Sequence, residues 1–355
     1  MTSKNTKKHS RRGKNTSRRG KAASRRRKTV LRKKLGRLLS LFLVLIVLRL
    51  WGPQAAGRVS SHLDIDLPEF PSISAPAQLP SAGSTAAMES MADHDTLVPD
   101  SGSFQVDFLD VGQGLSVLVE ADGSYLLYDG GDRSASSYVV SFLKERGVER
   151  LDYVIASHYD SDHINGLVGA LHVFEVGEVI GPDYTTDTRV YNSLISRAEE
   201  LDLGITTPSP GSRYPLGQGY FEVLGPLSGS YTDVNNYSIV IRLVYGDTSV
   251  LLTGDAEAES EAELVASWPN LKSDVLCVGH HGSPSSSGDA FLDRVQPSYA
   301  IISCGKDNSY GHPAACVLQR LKERNITVYR TDESGIITLQ SDGNTLSFSA
   351  EKSGC

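Results

Sequence analysis

From residue 104 onward, the chain alternates between short runs rich in β-branched and aromatic residues and longer stretches in which apolar residues recur every three or four positions. The short runs predict strands and the longer stretches predict helices. Two β-rich halves, each with covering helices, indicate an α/β (α+β) sandwich with sheets inside and helices outside. Strands are predicted at 104–111, 114–121, 124–131, 151–156, 176–180, 220–226, 237–246, 249–255, 274–279, 298–305, 326–330 and 335–340. Helices are predicted at 134–146 (capped by Ser134), 164–174, 189–201, 257–268, 288–295 and 313–324.

The beginning of the chain has a different composition. Residues 1–37 hold eight Lys and nine Arg and neither Asp nor Glu, and the apolar run 38–51 follows them. We interpret 1–37 as a cytoplasmic arm and 38–51 as a transmembrane anchor or the apolar core of a signal peptide. The anchor is favoured because no convincing small-residue cleavage site follows. Because basic residues before an apolar segment stay in the cytoplasm, this topology exports the rest of the chain. A nucleic-acid-binding tail is the alternative for the arm.

Between this apolar run and the folded domain lies a stretch with little pattern. Residues 52–102 are rich in Pro, Ala and Ser, which is typical of a flexible linker. The catalytic unit is then predicted at 103–350. The four cysteines form no C-x-x-C pair, so a cysteine-based zinc site is disfavoured.

One short run carries most of the candidate chemistry. His158, Asp160, Asp162 and His163 fall within six residues in the pattern H-x-D-x-D-H, between a predicted strand and a predicted helix. Imidazole and carboxylate groups packed this tightly at a strand end can hold two divalent cations, and such a pair activates water at neutral pH. The sequence therefore predicts a dinuclear hydrolytic site.

Seven motifs occur in a characteristic order around this run: FLDVGQGLSVLV, LLYDGG, SHYDSDHINGL, NNYSIVIRL, VLLTGD, DVLCVGHHGS, and YGHP followed by VYRTDESG. On these motifs, roughly residues 103–345 resemble the metallo-β-lactamase superfamily, and specifically the exported hydrolase domain of ComEC-type DNA-uptake proteins. The resemblance implies a four-layer αββα sandwich with a metal site at one edge, carried here on one anchor.

The resemblance also implies a set of metal ligands in this sequence. Of the adjacent His280 and His281, we favour His281 as the ligand, and His280 would then support it through a hydrogen bond. The implied ligands are His158 and Asp160 for the first cation, Asp162, His163 and His281 for the second, and Asp255 as the bridge.

Two positions depart from the commonest superfamily pattern. Asp160 stands where many members have His, and no His occurs between Phe174 and Asp255, where Asn236 occupies the region of another first-site ligand. An amide oxygen is a weak ligand, so we expect the first site to be weakly held. Oxygen donors also shift the preference from Zn²⁺ towards Mn²⁺ or Mg²⁺. Zn²⁺ and Mn²⁺ are both retained as candidates, and a degraded site without metal is the alternative.

The implied reaction is metal-assisted hydrolysis, for which several further residues are candidates. Asp162 or Asp160 would accept the proton of the attacking water, and His312 would act as general acid or as substrate ligand. Asp129 either supports a ligand through a hydrogen bond or serves a structural turn. The candidates for phosphate contacts are Ser283, Lys306 and Asn308.

The resemblance implies a phosphodiester substrate, with single-stranded DNA at the cell surface as the first candidate and a DNA-uptake channel as a partner. Residues 101–355 carry 16 basic and 35 acidic side chains, a net charge of −19, whereas polynucleotide-binding domains usually present basic surfaces. Cell-envelope phosphodiesters of the phosphocholine or teichoic-acid type, and cyclic nucleotides, are therefore alternatives. An exported binding module that keeps the fold without catalysis is another, and β-lactam hydrolysis is disfavoured by the ligand set.

Overall fold

The computed structural model describes residues 102–352. The predicted basic arm, the apolar segment and all of the predicted linker except Gly102 lie outside the described residues. Within the described residues, no helix combines the length and the apolar character needed to cross a membrane.

The described residues form fourteen strands and seven α-helices. The strands are β1 (Phe104–Phe108), β2 (Val117–Ala121), β3 (Ser124–Tyr128), β4 (Arg150–Ile155), β5 (Glu175–Ile180), β6 (Arg213–Leu216), β7 (Gly219–Gly225), β8 (Val240–Tyr245), β9 (Thr248–Leu252), β10 (Val275–Cys277), β11 (Tyr299–Ile302), β12 (Thr327–Arg330), β13 (Ile337–Ser341) and β14 (Leu346–Ala350). The α-helices are α1 (Ser136–Glu145), α2 (Ser161–Val173), α3 (Arg189–Glu200), α4 (Ala258–Ser267), α5 (Asp289–Val295), α6 (Ala315–Glu323) and α7 (Thr331–Ser334).

The strands make two seven-stranded sheets with matching organisation. The first sheet has the order β14-β13-β1-β2-β3-β4-β5, and the second has the order β12-β11-β10-β9-β8-β7-β6. Each sheet is antiparallel at one end and parallel at the other, where β3, β4 and β5, or β9, β10, β11 and β12, run in the same direction. The helices α1, α2, α4, α5 and α6 are the crossovers of these parallel strands, as parallel pairing requires.

Three apolar clusters separate four layers. The central cluster joins the inner faces of the two sheets and includes Val106, Phe108, Phe221 and Ile241. A second cluster packs α1, α2 and α3 on the outside of the first sheet, and a third packs α4, α5 and α6 on the outside of the second. The predicted αββα sandwich is therefore confirmed for the described residues.

This topology gathers loops at one edge of the sandwich. Parallel strands end on the same side, so the segments that leave β3 and β4 lie together, as do those that leave β9, β10 and β11. The Tyr128 hydroxyl at the end of β3 donates a 2.8 Å hydrogen bond to the carbonyl of Ile239 just before β8, which ties the two halves together here. The candidate site residues follow these strand ends.

Several predicted boundaries were wrong for local physical reasons. Ser134 does not cap α1, which begins at Ser136; instead Asp132 Oδ1 accepts hydrogen bonds from the backbone N–H groups of Ser134 and Ala135. The predicted strand 237–246 begins only at Val240 because 234–237 forms a 3₁₀ turn. Two strands were missed, β6 and β14. Both are edge strands, and their apolar alternation is weak because only one neighbour packs beside them.

Candidate metal centre

The H-x-D-x-D-H run spans the junction between β4 and α2. Asp160 occupies the extended N-cap position of α2, and Asp162 and His163 lie in its first turn. Carboxylates are favoured at a helix N-terminus because they face its unpaired N–H groups and the positive end of its dipole. His158 and His163 are fully buried, while the side chains of Asp160 and Asp162 are 53% and 34% exposed. The run thus combines a buried imidazole pair with carboxylates on the open side.

Asp255 lies at the centre of the cluster, just beyond β9. Its Oδ1 is 3.3 Å from His163 Nε2, and its Oδ2 is 3.5 Å from His281 Nε2 and 4.0 Å from His158 Nε2. His281 Nε2 is also 3.7 Å from Asp162 Oδ2. Two groups could each hold a cation, one made of His158, His163 and Asp255 and the other of Asp162, His163 and His281. The predicted bridging carboxylate is therefore within reach of ligands from both groups.

The Nδ1 atom of each of the three buried imidazoles, which points away from the cluster, makes a hydrogen bond. His163 Nδ1 donates to Asp129 Oδ2 at 2.7 Å, and His281 Nδ1 donates to the Ser303 carbonyl at 2.9 Å. The Ser157 hydroxyl donates to Asp129 Oδ2 at 2.7 Å, so its oxygen accepts from His158 Nδ1 at 3.0 Å. In its neutral form, each ring therefore carries its proton on Nδ1 and turns the lone pair of Nε2 into the cluster.

Four atoms that point into the cluster have no hydrogen-bond partner among the described residues. The Nε2 atoms of His158, His163 and His281 and the Oδ1 of Asp255 are buried, and none makes a hydrogen bond within residues 102–352. Buried polar atoms without partners are costly, and they are rare in folded proteins. Four such atoms converging from three loops form the donor set that a divalent cation requires, and their outer hydrogen bonds are those expected of metal ligands.

Burial and neighbouring charges shift the pKa values of the buried groups in this cluster. Burial lowers the pKa of His158 well below its usual range, and the nearby His163 adds to this effect. Burial alone would also lower the pKa of His163, but Asp255 and Asp129 outweigh it and raise that pKa well above the usual range. Burial would raise the pKa of Asp255, yet His163 and His281 hold it well below its ordinary value. The buried cluster is thus organised around the negative charge of Asp255.

The loop after β3 reaches the centre through close backbone contact with α2. Asp129 has a left-handed backbone, with φ at 57°, and the Gly130 N–H donates to the His163 carbonyl at 2.6 Å. A Cβ atom on Gly130 would lie 2.5 Å from the Leu167 nitrogen, and one on Gly166 would collide with the Gly130 carbonyl. Glycine is required at both positions because the loop packs directly on the helix that carries His163.

The adjacent histidines after β10 both face Asp255. His280 and His281 have left-handed backbones, with φ at 48° and 56°, a conformation that non-glycine residues seldom adopt. His280 Nε2 is 3.8 Å from Asp255 Oδ2, and its Nδ1 lies 2.9 Å from Glu257 Oε1. The Ser285 hydroxyl donates to the same Glu257 oxygen at 2.7 Å. His281 is buried, whereas His280 is partly open to solvent.

The structure does not bring every predicted residue to the cluster. Asn236 is buried, and its amide oxygen accepts from the backbone N–H groups of Glu257 and Ser260 at 3.0 and 3.1 Å. That oxygen is the only atom of the side chain able to bind a cation, so Asn236 holds the start of α4 instead. Ser283 shapes the turn after the histidines, where its N–H donates to the His280 carbonyl and its hydroxyl contacts that of Ser285.

The loop between β11 and α6 places the remaining candidates beside the cluster. The His312 ring centre is 5.5 Å from that of His280 and 6.5 Å from that of His281. Burial lowers the pKa of His312, and His280 and His281 add to this effect. Lys306, Asn308 and His312 line an open cavity of about 580 Å³.

Three side chains that the sequence patterns did not indicate contact residues of the site. Ser157 connects Asp129 to His158, Glu257 contacts His280, and the Gln113 amide nitrogen lies 3.5 Å from His312 Nδ1. Ser157 directly precedes the metal motif and Glu257 follows Asp255 by two positions, so closeness to the motifs was the available signal. The DVGQG motif contained Gln113, but nothing local indicated its distant partner.

The two sheets with outer helices, and the histidine and aspartate cluster at the strand ends, define a metal-binding hydrolase-type αββα sandwich. Residues 109–306 match the family model described as the Metallo-beta-lactamase superfamily, and the chain belongs to this superfamily. The family predicted from the seven motifs is therefore confirmed.

Individual known proteins are similar to this chain over much of its length. ComE operon protein 3 of Bacillus subtilis (strain 168) is 35% identical over 267 residues, which are 70% of this chain and 34% of that protein. Competence protein ComA of Neisseria gonorrhoeae is 37% identical over 231 residues, 64% of this chain and 31% of that protein. The chain therefore spans about a third of the length of these relatives. The metallo-beta-lactamase fold protein YhfI from Bacillus subtilis is 15% identical with a TM-score of 0.42, covering 64% of this chain and 95% of YhfI.

Proposed function

We propose that this chain is a metal-dependent phosphodiesterase that cleaves single-stranded DNA outside the cell membrane and works with a DNA-uptake channel. Membership of the metallo-beta-lactamase superfamily supports hydrolysis. The names of two relatives, which refer to competence and to a ComE operon, support a role in DNA uptake.

The observation that carries the proposal is the set of unpartnered buried atoms. Three imidazole nitrogens and one carboxylate oxygen meet at the strand ends with their outer sides already hydrogen-bonded. A purely structural cluster would pair these atoms with one another or with backbone groups. The arrangement fits cation ligands, and a binding module without catalysis would have no need of the additional carboxylates on the open side.

The ligand assignment follows the predicted one. His158 and Asp160 would hold one cation, Asp162, His163 and His281 would hold the other, and Asp255 would contribute to both. When bound, the two cations would lower the pKa of a water molecule and offset charge on the phosphoryl oxygens. Three imidazoles and three carboxylates suit Zn²⁺ or Mn²⁺.

The chain's own residues supply the remaining steps. The carboxylates of Asp160 and Asp162 lie on the open side of the cluster, where they would accept the proton that the attacking water loses. We assign His312 to substrate binding. When the Gln113 amide donates to its Nδ1, the ring is neutral and offers an Nε2–H to a phosphoryl oxygen. Lys306, on the same loop, would contact a neighbouring phosphate.

The proposed location at the cell surface is supported by composition alone. The basic arm 1–37 followed by the apolar run 38–51 is typical of a single anchor with a cytoplasmic N-terminus. Protease added to intact cells tests this topology: we expect it to remove the 103–350 domain and to leave the arm protected. Digestion only after cell lysis would contradict export.

A cell-envelope phosphodiester is the second candidate substrate. The net charge of −19 on residues 101–355 opposes tight binding of long polynucleotides and favours a smaller ester, such as a phosphocholine or teichoic-acid group.

Metal analysis and turnover test the proposed function together. The purified chain would be analysed for bound metal by mass spectrometry and assayed with Mn²⁺ or Zn²⁺ on bis-p-nitrophenyl phosphate and on single-stranded DNA. We expect about two equivalents of metal and loss of both activities in Asp162→Ala. Absence of metal and of turnover with every cation would leave a non-catalytic binding module. Cleavage of the small ester without cleavage of DNA would favour the cell-envelope substrate.

A further inference from the structure

We propose that Tyr310 and His312 form a stacking platform for a nucleobase of the substrate strand, next to the metal centre. The inference rests on the proposed phosphodiesterase function and names how that site would recognise single-stranded nucleic acid. Its starting point is Tyr310, which is 70% exposed and is the most exposed large hydrophobic side chain of residues 102–352. A tyrosine ring exposed to this extent is open to a partner that would cover it.

Tyr310 is held in this exposed position by a braced loop. The side chain of Asn308 closes the loop, because its Nδ2 donates to the carbonyls of Gly305 and His312. Its Oδ1 accepts from the backbone N–H groups of Tyr310 and His312 at 3.1 and 3.0 Å. The Gly305 N–H donates to the Gln113 side chain at 3.1 Å, which fastens the loop to the segment between β1 and β2. The tyrosine is therefore presented by a defined backbone, and the loop needs little ordering before the ring binds.

The platform continues into the metal centre as a row of rings. The Tyr310 and His312 rings are stacked, with centres 5.7 Å apart and planes inclined by 27°. His312 is in turn stacked on His281, with centres 6.5 Å apart and planes inclined by 29°. Three successively stacked rings thus lead from a proposed metal ligand out to solvent. A strand whose phosphate reaches the cluster would bring an adjacent base to the free end of this row.

Little positive charge beside the centre is free to bind the substrate strand. Lys306 makes no ion pair within the described residues, but Arg330, which lines the same cavity, is already paired with Asp332 at 2.7 Å and Glu333 at 2.8 Å. The domain as a whole is acidic. Stacking on an aromatic ring is independent of base identity and of net charge, so it suits an acidic domain that handles single strands of any sequence.

The geometry favours a planar base over a quaternary ammonium group. Choline is normally bound inside a cage of several aromatic walls. Tyr310 and His312 instead stack with an inclination of 27° and leave an open face, which is an arrangement that a base can extend. A phosphocholine ligand therefore becomes an outcome of the test.

The test compares two single strands that differ only in their bases. One is a dye-labelled oligothymidylate, and the other is an abasic oligomer with the same length, dye and phosphates. Binding to the full chain would be measured by fluorescence anisotropy in EDTA, so that no strand is cut. Because both oligomers carry the same phosphates, the basic arm 1–37 attracts them equally. Cleavage of both would then be measured with Mn²⁺ or Zn²⁺ added.

We expect Tyr310→Leu to weaken binding of oligothymidylate about tenfold and to raise its KM similarly, with little change for the abasic oligomer. Tyr310→Phe, which keeps the ring, should retain the preference for bases. Tyr138→Leu, on the distant helix α1, is the matched control and should change neither oligomer.

Equal effects of Tyr310→Leu on the two oligomers, or no effect on either, would overturn the platform while leaving the proposed hydrolysis standing. A Tyr310-dependent preference for bases without any cleavage would support the platform and overturn the phosphodiesterase. Inhibition by phosphocholine that disappears in Tyr310→Leu, without a preference for bases, would assign the ring to a cationic headgroup and also overturn the proposal.

Discussion

The buried carboxylate of Asp129 accepts a 2.7 Å hydrogen bond from His163 Nδ1. The same carboxylate binds the hydroxyl and the backbone N–H of Ser157, and that hydroxyl accepts from His158. One acidic side chain therefore fixes the proton position of two proposed ligands, which come from opposite ends of the H-x-D-x-D-H run. Burial raises the pKa of Asp129, and the contacts with His163 and Ser157 oppose this rise by favouring the ionised carboxylate.

Asp129→Asn tests this support directly. The amide keeps the shape but can accept at only one atom, so His163 and His158 lose part of the orientation that exposes Nε2. We expect metal affinity to fall by about 10- to 100-fold. Competition with a chelating dye measures the affinity, and exposed Asp187→Asn is the control. Unchanged metal affinity in a folded Asp129→Asn chain would show that the carboxylate serves only the turn.

The adjacent histidines offer a matched pair of substitutions. His281 has a buried Nε2 without a partner, whereas the ring of His280 is partly open to solvent. We therefore expect His281→Gln to lose about one equivalent of metal and His280→Gln to retain both. Metal analysis after gel filtration measures the difference. The opposite pattern would reassign the ligand to His280, with Glu257 as the group that orients it.

The role of His312 is tested through the leaving group. A residue that protonates the leaving oxygen matters most for a basic alkoxide and little for p-nitrophenolate. Because we assign His312 to substrate binding, His312→Gln should reduce kcat/KM for a dinucleotide and for bis-p-nitrophenyl phosphate by a similar factor, of order tenfold. A loss confined to the dinucleotide would instead identify His312 as the general acid.

Glu261 gives a prediction for stability that is independent of the metal centre. Its buried carboxylate accepts from the backbone N–H groups of Ser287 and Gly288, and burial raises its pKa from about 4.5 to about 7. Because the folded chain holds this proton more tightly than the unfolded chain, the stability it contributes is complete below pH 4.5 and is lost as pH rises towards 7. Across this window the free energy of unfolding should fall by about 3 kcal/mol more in the wild type than in Glu261→Gln.

Urea unfolding of metal-free protein at pH 5 and pH 8 measures this difference. Exposed Glu199→Gln is the control and should follow the wild type. If Glu261→Gln shows the same pH dependence as the wild type, the carboxylate stays ionised in the folded protein throughout this range.

The fold was largely predictable because the apolar runs of the sandwich are strong local signals. Besides the two missed edge strands, errors occur at strand ends near the metal centre. The predicted strands 124–131 and 249–255 end at Tyr128 and Leu252, since the backbone leaves the sheet there to place Asp129 and Asp255. Hydrophobic periodicity records which residues are buried, and these loops are buried too. It cannot show where pairing with the neighbouring strand stops.

The metal motif was also visible in the sequence, because four of its residues fall within six positions of the chain. Asn236 shows what sequence could not provide. It was predicted near the first cation because it fills the region of an absent histidine, yet its amide oxygen binds the start of α4. That contact depends on how a 3₁₀ turn approaches a helix more than twenty residues later. The Gln113 contact with His312 joins positions 199 residues apart and is equally invisible in local patterns.

The central claim is that the cluster around Asp255 makes this chain a metal-dependent phosphodiesterase. The most direct measurement is cleavage of oligothymidylate by the EDTA-stripped full chain as Mn²⁺ or Zn²⁺ is added back, for the wild type and for Asp255→Asn. The account predicts no cleavage without metal, saturable recovery in the wild type, and a loss in Asp255→Asn of about a thousandfold or more. Cleavage in EDTA, or equal recovery in Asp255→Asn, would contradict it.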